Sequence, residues 1–520
     1  MVASTGSYEQ VQNALVHAKR GSYEDLSYLP TFRASALFYA VVDDKTNTKV
    51  SFINYWREKN GNPDVGVMVT VRNADGVKCA RKHVRLVDMV YTFDVRHLIS
   101  PICSFNGSIE IEAFSAIDLK FAFPGLSVFY ETPNGVSYVH SNQRVYNDSE
   151  DQSRGEPLNP WQTGFIVDPQ SAPFIFVVNG PRAWQGGLVD FVFVDSKNTA
   201  TKIQVKMNAI AAYGAVDIRL SNVCDIRQLF GVEVGFCKIN LPLEGVHLRL
   251  AVGNATTDRN WLSITHSYFD AVNHQDYFES TSLPMEVTPA FIPFCLVDEL
   301  DVDIVLYPIY AQSTLDLTLC KYGKNGLSLN RIELDSFSSP QHPLRVHDIR
   351  LLLSAHGCEA SAGLYVIEIR EKNAKLPSRI TYGLNYHQGN RIGTNISSSA
   401  YIAKSWGAGA RSWKWGPIVP SQNGKNIVMV TGFSNKKDEL KKRAGTITIF
   451  GKDRPLAQLA FELNGNSCLS IAAEQLLSEH EAVYSAGEIL WYVVESDHSS
   501  LDVNQVYISA NGCVGGDHSF

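Results

Sequence analysis

The segment Asp94-Val95-Arg96-His97-Leu98 recurs twice along the chain, as Asp225-Ile226-Arg227-Gln228-Leu229 and as Asp348-Ile349-Arg350-Leu351-Leu352. The copies begin 131 and then 123 residues apart, and a Gly and a long apolar run follow each of them. Self-similarity at a fixed period is typical of repeated structural units. We therefore predict tandem repeats of about 125–130 residues, against the alternative of three unrelated β domains that share a pentapeptide by coincidence.

The runs between the copies of the motif are typical of β-strands. Val, Ile, Phe, Tyr and Thr are concentrated in short stretches such as 65–71, 108–114 and 364–369, and several of these alternate apolar and polar residues. A period of two is typical of strands with one buried face. The strand–helix alternation of a parallel sheet is missing. The predicted fold class is therefore all-β, with tandem jelly-roll β-sandwiches, and a helical pattern is confined to stretches such as 8–19 and 471–481.

The repeats divide the chain into five predicted segments. These are an N-terminal arm at 1–59, jelly rolls at 60–200, 201–312 and 313–455, and a C-terminal extension at 456–520. The two end pieces together are nearly as long as one repeat, and the tail resembles the first half of a further unit. They are either arms that interlock subunits or parts of a fourth unit, in which case the repeats are placed half a unit off.

In each copy of the motif we interpret the Asp as a helix N-cap, because a carboxylate there accepts hydrogen bonds from the free N–H groups of the first turn. The Arg two residues later is interpreted as a surface or interdomain contact. The functional alternative is a repeated Asp/Arg clamp for a ligand.

Charge and composition exclude several classes of protein. The 520 residues carry a formal net charge of −7, so we do not expect the chain to bind nucleic acid through its overall charge. Any contact with RNA would be made by a local patch. The nine cysteines include no CxxC pair, and we interpret them as reduced core residues of a cytosolic protein. We predict no signal peptide and no membrane span. No catalytic or metal-ligand motif is present, so we predict no enzyme, no metal and no cofactor.

Two groups of side chains are candidate functional residues. Basic residues are predicted to contact RNA phosphates, against the alternative of solvated loop charge; they are Arg72, Lys78, Arg81, Lys82, Arg85, Lys436, Lys437, Lys441, Lys442 and Arg443. Tryptophans of the Gly/Pro-rich connections are candidates for a subunit interface or a sugar-stacking platform, against core packing; they are Trp161, Trp184, Trp261, Trp406, Trp413 and Trp415.

Three parts of the sequence carry a resemblance to a known family. The stretches 92–100, 105–111 and 124–128 resemble the opening of the coat proteins of nepovirus-type plant viruses, which belong to the picorna-like secovirus group. The stretch 416–421 is similar to a loop before a late strand of those proteins, and 343–369 is similar to their helix-then-strand element.

The resemblance implies a viral capsid protein with three tandem jelly rolls. Such a chain assembles as a homo-oligomer into an icosahedral shell around single-stranded genomic RNA. It is located in the virion, or in the host cytoplasm during assembly, and a host receptor or vector surface is a further possible partner. The alternatives are a cytosolic carbohydrate-binding protein of tandem β-sandwiches, with the Trp loops as sugar platforms, and a β-rich hydrolase.

Overall fold

A computed structural model provides the fold. It describes residues 31–102, 104–120, 124–140, 143–146, 162–197, 199–269, 289–307, 314–323, 325–337, 344–346, 348–371, 380–402, 411–421, 424–434, 442–485, 487–498 and 501–520. Antiparallel sheets with a few short helices make up this part of the chain, which confirms the predicted all-β fold of tandem sandwiches. None of its helices is long and apolar enough to cross a membrane.

The strands group into four successive sandwiches, which we call units 1 to 4. Unit 1 contains β1 (Phe32–Val42), β2 (Asn47–Ile53), α1 (Tyr55–Glu58), β3 (Gly66–Asn73), β4 (Lys78–Arg85), β5 (Val90–Asp94), α2 (Val95–Leu98), β6 (Phe105–Ser115), β7 (Ser127–Thr132), β8 (Gly135–His140) and β9 (Arg144–Val145). Unit 2 contains β10 (Gln162–Val167), β11 (Ala172–Val178), β12 (Gly187–Val194), β13 (Ala200–Met207), β14 (Ala215–Arg219), a 3-10 turn (Leu220–Asn222), α3 (Ile226–Phe230), β15 (Gly235–Asn240), β16 (Val246–His247), β17 (Ala251–Ala255), β18 (Leu262–His266) and β19 (Tyr268–Phe269).

The second half of the chain repeats this succession. Unit 3 contains β20 (Ala290–Leu296), β21 (Asp301–Leu306), β22 (Leu315–Tyr322), β23 (Ser328–Phe337), β24 (Leu344–Val346), α4 (Ile349–Ala355), β25 (Gly363–Glu371), β26 (Thr381–His387), β27 (Thr394–Ser399) and β28 (Tyr401–Ile402). Unit 4 contains β29 (Ser412–Ile418), β30 (Lys425–Gly432), β31 (Arg443–Phe450), β32 (Pro455–Leu463), β33 (Ser467–Ala472), α5 (Ala473–Glu479), β34 (Leu490–Ser496), β35 (Leu501–Ile508) and β36 (Val514–His518).

All four units share one strand order. If the principal strands are counted from one within each unit, one sheet has the order 4-3-6-1 and the other has the order 5-2-7-8. Among the described residues, the two sheets join only in unit 1, through β1 and β2. The first strand pairs with the sixth, whereas a jelly roll pairs its first strand with its last. The units are therefore two-sheet antiparallel sandwiches of a Greek-key type.

The repeated motif lies at the helix between the fifth and sixth strands. Asp94, Asp225 and Asp348 are the N-caps of α2, α3 and α4, and each carboxylate accepts a backbone N–H of the first turn. The interpretation of these aspartates as caps is confirmed.

The Arg of the motif makes equivalent hydrogen bonds in each of the first three units. Arg96, Arg227 and Arg350 each donate to backbone carbonyls of the connection between the unit's first two strands, at Asp43 (2.8 Å), at Pro169 (3.2 Å) and at Leu300 (3.2 Å). The Arg therefore fastens the helix to the sandwich of its own unit rather than to another domain.

The predicted domain boundaries are wrong, because the motif marks the middle of a unit. The boundary at 200/201 divides β13 from its first residue, and the boundary at 455/456 divides β32 in the same way. Residues 32–58 are not an arm, since they form β1, β2 and α1 of unit 1. The predicted extension at 456–520 completes unit 4, which begins at β29.

The four units close a ring in which their eighth strands meet. Across the junction of units 1 and 2, Ile264 N donates to Ser137 Oγ (3.0 Å), and across that of units 2 and 3, Ser263 Oγ donates to Gly393 O (2.6 Å). Between units 3 and 4, Thr394 Oγ1 donates to Gly516 O (3.1 Å). The ring closes between units 4 and 1.

At the closing junction the backbone N of His140, on β8, donates to Asp517 Oδ2, on β36, at 2.6 Å. β8 therefore packs against β18 on one side and against β36 on the other. Small side chains in these strands permit the close approach: a Cβ on Gly515 would lie 2.8 Å from Val136 O. The ring fixes which loops of neighbouring units face each other.

Candidate ligand-binding cleft

A polar cleft lies between units 2 and 3. Its cavity volume is about 610 Å³, within the range of small-molecule sites. Unit 2 contributes the β10–β11 connection and residues of β17 and β18, whereas unit 3 contributes β21, α4, β26 and the β26–β27 turn. The polar side chains that line it are Asp168, Gln170, Asn254, Ser263, Thr265, Asp303, Asp348, Asn385, His387, Asn390, Arg391 and Asn395.

Asp303 organises the unit 3 wall of the cleft. Its side chain is 3% exposed, Oδ1 accepts the backbone N–H of Asp348 at 2.5 Å, and Oδ2 accepts Asn385 Nδ2 at 3.3 Å. Asp348, which has φ +42°, is the N-cap of α4. The residue whose side chain caps the helix is therefore the same one whose backbone N–H donates to Asp303. The position of the α4 N-terminus is thereby fixed relative to β21.

Two buried polar atoms of unit 3 have no hydrogen-bond partner within the described part of the chain. They are Oδ1 of Asn395 and Nε2 of His387, and both residues line the cleft. The opposite ends of both side chains are fixed: Asn395 Nδ2 donates to the Tyr307 hydroxyl at 3.1 Å, and His387 Nδ1 lies 2.7 Å from Gly389 O. Asn395 can lie here because residue 383 is Gly, where a Cβ would be 1.9 Å from Asn395 Oδ1.

The protonation of His387 is coupled to Asp303. Burial by itself would lower the pKa of the imidazole, but the Asp303 carboxylate, 3.6 Å from Nε2, acts together with Gly389 O and the Asp301 charge to raise the pKa. An imidazole with a raised pKa carries a proton on both nitrogens to higher pH than usual. The cleft therefore presents a hydrogen-bond donor beside a carboxylate acceptor.

The lining as a whole favours an uncharged, hydroxyl-rich ligand. Three carboxylates, those of Asp168, Asp303 and Asp348, line the cavity along with the basic side chains of Arg391 and His387, so charges of both signs offset each other and the lining does not select a strongly charged ligand. Amide side chains offer both donors and acceptors, which matches the hydroxyl groups of a sugar. A small apolar area is supplied by residues such as Leu351, which is 66% exposed, and Ile392.

The predicted basic residues do not form one surface. Lys78, Arg81, Lys82 and Arg85 lie exposed along β4, an edge strand, and Lys442 is exposed in unit 4. Arg72 and Arg443 are buried instead: Arg72 Nη1 forms an ion pair with Glu110 at 2.8 Å, and Arg443 Nη1 donates to Gly465 O. These two residues are not available to RNA, which corrects their assignment. Lys436, Lys437 and Lys441 lie outside the described residues.

The predicted tryptophan sites are mostly internal packing. Trp261 is fully buried in unit 2, and Trp415 is buried at the closing junction, where its ring stacks on Tyr55 of unit 1 at 5.0 Å. Both are contacts within one chain, which corrects their assignment to a subunit interface or sugar platform. Trp413 is half-buried beside Trp415, Trp184 is half-buried at a bridge to Ile210, and Trp161 and Trp406 lie outside the described residues.

Sequence reasoning missed both the cleft and a cluster of three histidines. The residues that line the cleft come from two different units, and no local sequence motif predicts that they lie together. The histidines are the last residues of the eighth strands of three units, and they form a group able to hold a metal ion: His140, His266 and His518. Alignment of the four units by their common strand order is the signal that reveals these equivalent histidines.

Comparisons with known proteins do not identify a family. No protein-family model and no curated protein matches the chain. Among solved structures, the chain is similar to a "Biofilm associated protein - BSP domain" at 9% identity and a TM-score of 0.15, covering 94% of this chain and 95% of that one. Another match is native E. coli alpha-2-macroglobulin, at 7% identity and a TM-score of 0.09, covering 92% of this chain and 28% of that one. TM-scores of this size carry no argument about function.

Proposed function

We propose that the chain is a carbohydrate-binding protein that holds a neutral sugar in the cleft between units 2 and 3. The observation that carries this proposal is the polar lining of the cleft, where the buried Asn395 Oδ1 has no hydrogen-bond partner within the described residues and His387 Nε2 lies 3.6 Å from the fixed Asp303 carboxylate. A buried polar atom without a partner costs about 1–3 kcal/mol. A ligand hydroxyl that donates to Asn395 Oδ1 would remove that cost on binding.

The proposal differs in one respect from the sugar-platform alternative of the sequence. None of the four tryptophans of that group that the structure describes, Trp184, Trp261, Trp413 and Trp415, lines the cleft. Recognition here depends on hydrogen bonds, with Leu351 and Ile392 as the apolar contact for the C–H face of a ring. We therefore expect modest affinity and marked sensitivity to the pattern of hydroxyl groups, because directional bonds rather than stacking discriminate between epimers.

The test is a screen of the full chain on an array of neutral and acidic oligosaccharides, followed by calorimetric titration of the best ligand. Asn395→Ala and His387→Gln should each weaken binding about tenfold, as expected for the loss of one good hydrogen bond. His356→Gln is the matched control, because His356 is an exposed histidine at the end of α4 in the same unit.

Two results would contradict the proposal. One is the absence of any neutral-glycan binding by protein that melts cooperatively. The other is a glycan bound equally well by wild type and by both cleft variants, which would place the sugar elsewhere on the chain.

A second candidate function is the capsid role predicted from the resemblance. The observation that favours it is β4, an exposed edge strand with four cations, Lys78, Arg81, Lys82 and Arg85, that a single-stranded RNA could contact. Cationic residues on an edge strand also prevent unwanted strand pairing, so exposure alone does not assign a role. The capsid proposal requires both assembly and RNA affinity.

Sedimentation and negative-stain microscopy test the assembly, which should yield particles about 30 nm wide if many β domains of ordinary size form one shell. RNA affinity should fall steeply between about 50 and 200 mM salt. A triple variant, Lys78→Glu with Arg81→Glu and Lys82→Glu, should lose that affinity. A chain that stays monomeric at every pH and salt concentration contradicts the capsid role and leaves the carbohydrate proposal untouched.

A further inference from the structure

Three histidines meet where the ring closes. His140 ends β8, His266 ends β18 and His518 ends β36, so each comes from a different unit. One ring nitrogen from each lies within 4.8 Å of the others. His140 and His266 are buried, and His518 is half-buried. β27 of unit 3 has the sequence TNISSS and contributes no histidine.

The orientation of the three rings is set by contacts at one nitrogen. His140 Nδ1 lies 2.7 Å from Asp517 Oδ2, His266 Nδ1 lies 3.2 Å from Ser267 O, and His518 Nδ1 lies 2.9 Å from Ser519 O. A carbonyl or carboxylate next to Nδ1 favours the proton there and leaves the lone pair on Nε2. This arrangement, with a backing carboxylate on one histidine, is the usual outer shell of a metal-ligating histidine.

We propose that His140, His266 and His518 form a site for one divalent transition-metal ion, with Zn²⁺ as the best fit. Three imidazoles without a thiolate are the ligand set of zinc sites that keep a further position for water. Bond lengths of about 2.0–2.1 Å place tetrahedral ligand nitrogens about 3.4 Å apart, so nitrogens now within 4.8 Å of one another must approach by up to about 1.4 Å. Because they stand on three units, the ion would fasten units 1, 2 and 4 together.

One charged neighbour opposes the ion. Arg249 Nη2 lies 3.3 Å from His266 Nε2, and the Arg249 guanidinium also stacks over the Tyr268 ring at 5.1 Å. Binding of a cation requires this guanidinium to turn away. Asp517 supplies the compensating negative charge on the other side of the cluster. The site would therefore be opened by removal of Arg249 and weakened by removal of the Asp517 charge.

The experiment is a titration of the EDTA-treated full chain with Co²⁺ and with Zn²⁺, read by visible absorption, by bound metal per chain after dialysis and by Tm. We expect one equivalent of Co²⁺ with tetrahedral d–d bands, displacement of Co²⁺ by Zn²⁺, and a higher Tm with metal. His266→Gln with His518→Gln should abolish all three, whereas the control His83→Gln, at an exposed position of β4, should leave them unchanged.

Two single variants keep the test decisive if the double variant fails to fold. Arg249→Met should tighten the metal at least about tenfold, since it removes a like charge. Asp517→Asn should weaken it by about 10–100-fold, as expected for an outer-shell carboxylate. Wild type that takes up no stoichiometric metal overturns the proposal, and so does metal uptake that none of the four histidine, arginine and aspartate substitutions changes.

Discussion

The junction between units 4 and 1 and the junction between units 2 and 3 use equivalent strands but differ in chemistry. At the first, Trp491 is fully buried and its Nε1 donates to Ser51 Oγ of unit 1 at 2.9 Å, while Trp415 stacks on Tyr55. At the second, carboxylates and amides enclose a cavity of about 610 Å³. The closing junction is filled with aromatic side chains, and the other is left open between polar walls.

This difference indicates that one junction stabilises the ring and the other is available to bind a ligand. Aromatic burial stabilises the ring, because large apolar surfaces contribute most to packing. Unfilled polar space contributes nothing to stability unless a ligand or water bonds to it. The junction that is left as an open polar cavity is therefore the better candidate for binding, and substitutions at the two junctions should separate stability from affinity.

The largest effect is expected at the closing junction. Trp491→Ala removes a fully buried indole and leaves Ser51 without its partner, so it should cost about 3–5 kcal/mol of stability. Thermal unfolding measures the loss. Trp184→Ala, at a half-buried position outside that junction, is the control, and an equal fall in Tm for both variants would refute the comparison.

The next effect concerns the pH dependence of the open junction. His387 has a raised pKa in the folded chain, so the folded state holds the proton more tightly than the unfolded state. Its stabilising effect is complete below the ordinary histidine pKa and is lost as the pH rises through the folded pKa. The Tm difference between wild type and His387→Gln should therefore shrink from acidic to alkaline pH. A difference that grows with pH would show that the proton is not shared with Asp303.

A smaller effect is expected at the hydrogen bonds of the ring itself. Ser263→Ala removes the bond to Gly393 O beside the cleft, and Ser137→Ala removes the equivalent bond between units 1 and 2. Each should cost about 1 kcal/mol. Only Ser263→Ala should also lower ligand affinity, because Ser263 lines the cleft. Equal effects of both substitutions on affinity would mean that the ring as a whole, rather than this wall, controls binding.

The smallest effect is a gain of stability in unit 4. Ala472 is the N-cap of α5, has the extended backbone of a cap, and provides no side-chain hydrogen bond. Ala472→Asp should stabilise the unit by about 1 kcal/mol. The gain should appear as a higher Tm without any change in ligand affinity, and an unchanged or lower Tm would show that this helix end cannot use a cap.

The sequence predicts the repeat but not its count. The Asp/Arg motif reveals units 1 to 3, because those residues cap the helix and fasten it to the first two strands. In unit 4, Ala472 occupies the cap position, and Glu474 replaces the Arg and accepts from Asn426 N at 2.9 Å. Unit 4 therefore keeps a hydrogen bond between this helix and the second strand, but the helix side chain is the acceptor instead of the donor. A search for Asp and Arg cannot find it.

The candidate sites depend on ring closure, which local patterns do not encode. Asp168 and Asn395 line one cleft only because β18 and β27 pack together, and the three histidines meet only because unit 4 returns to unit 1. Arg72 and Arg443 look like surface cations in the sequence, yet burial and pairing with Glu110 and Gly465 make them structural. Charge content alone could not reveal this.

The most direct test of the central claim is hydrogen–deuterium exchange of the full chain with and without a neutral oligosaccharide selected from the array. We predict that the ligand slows exchange in the β26–β27 turn and at the N-terminus of α4, and leaves the closing junction around Trp415 and Trp491 unchanged. Protection at that closing junction, or none at residues 387–395, would contradict the assignment of the cleft as the binding site.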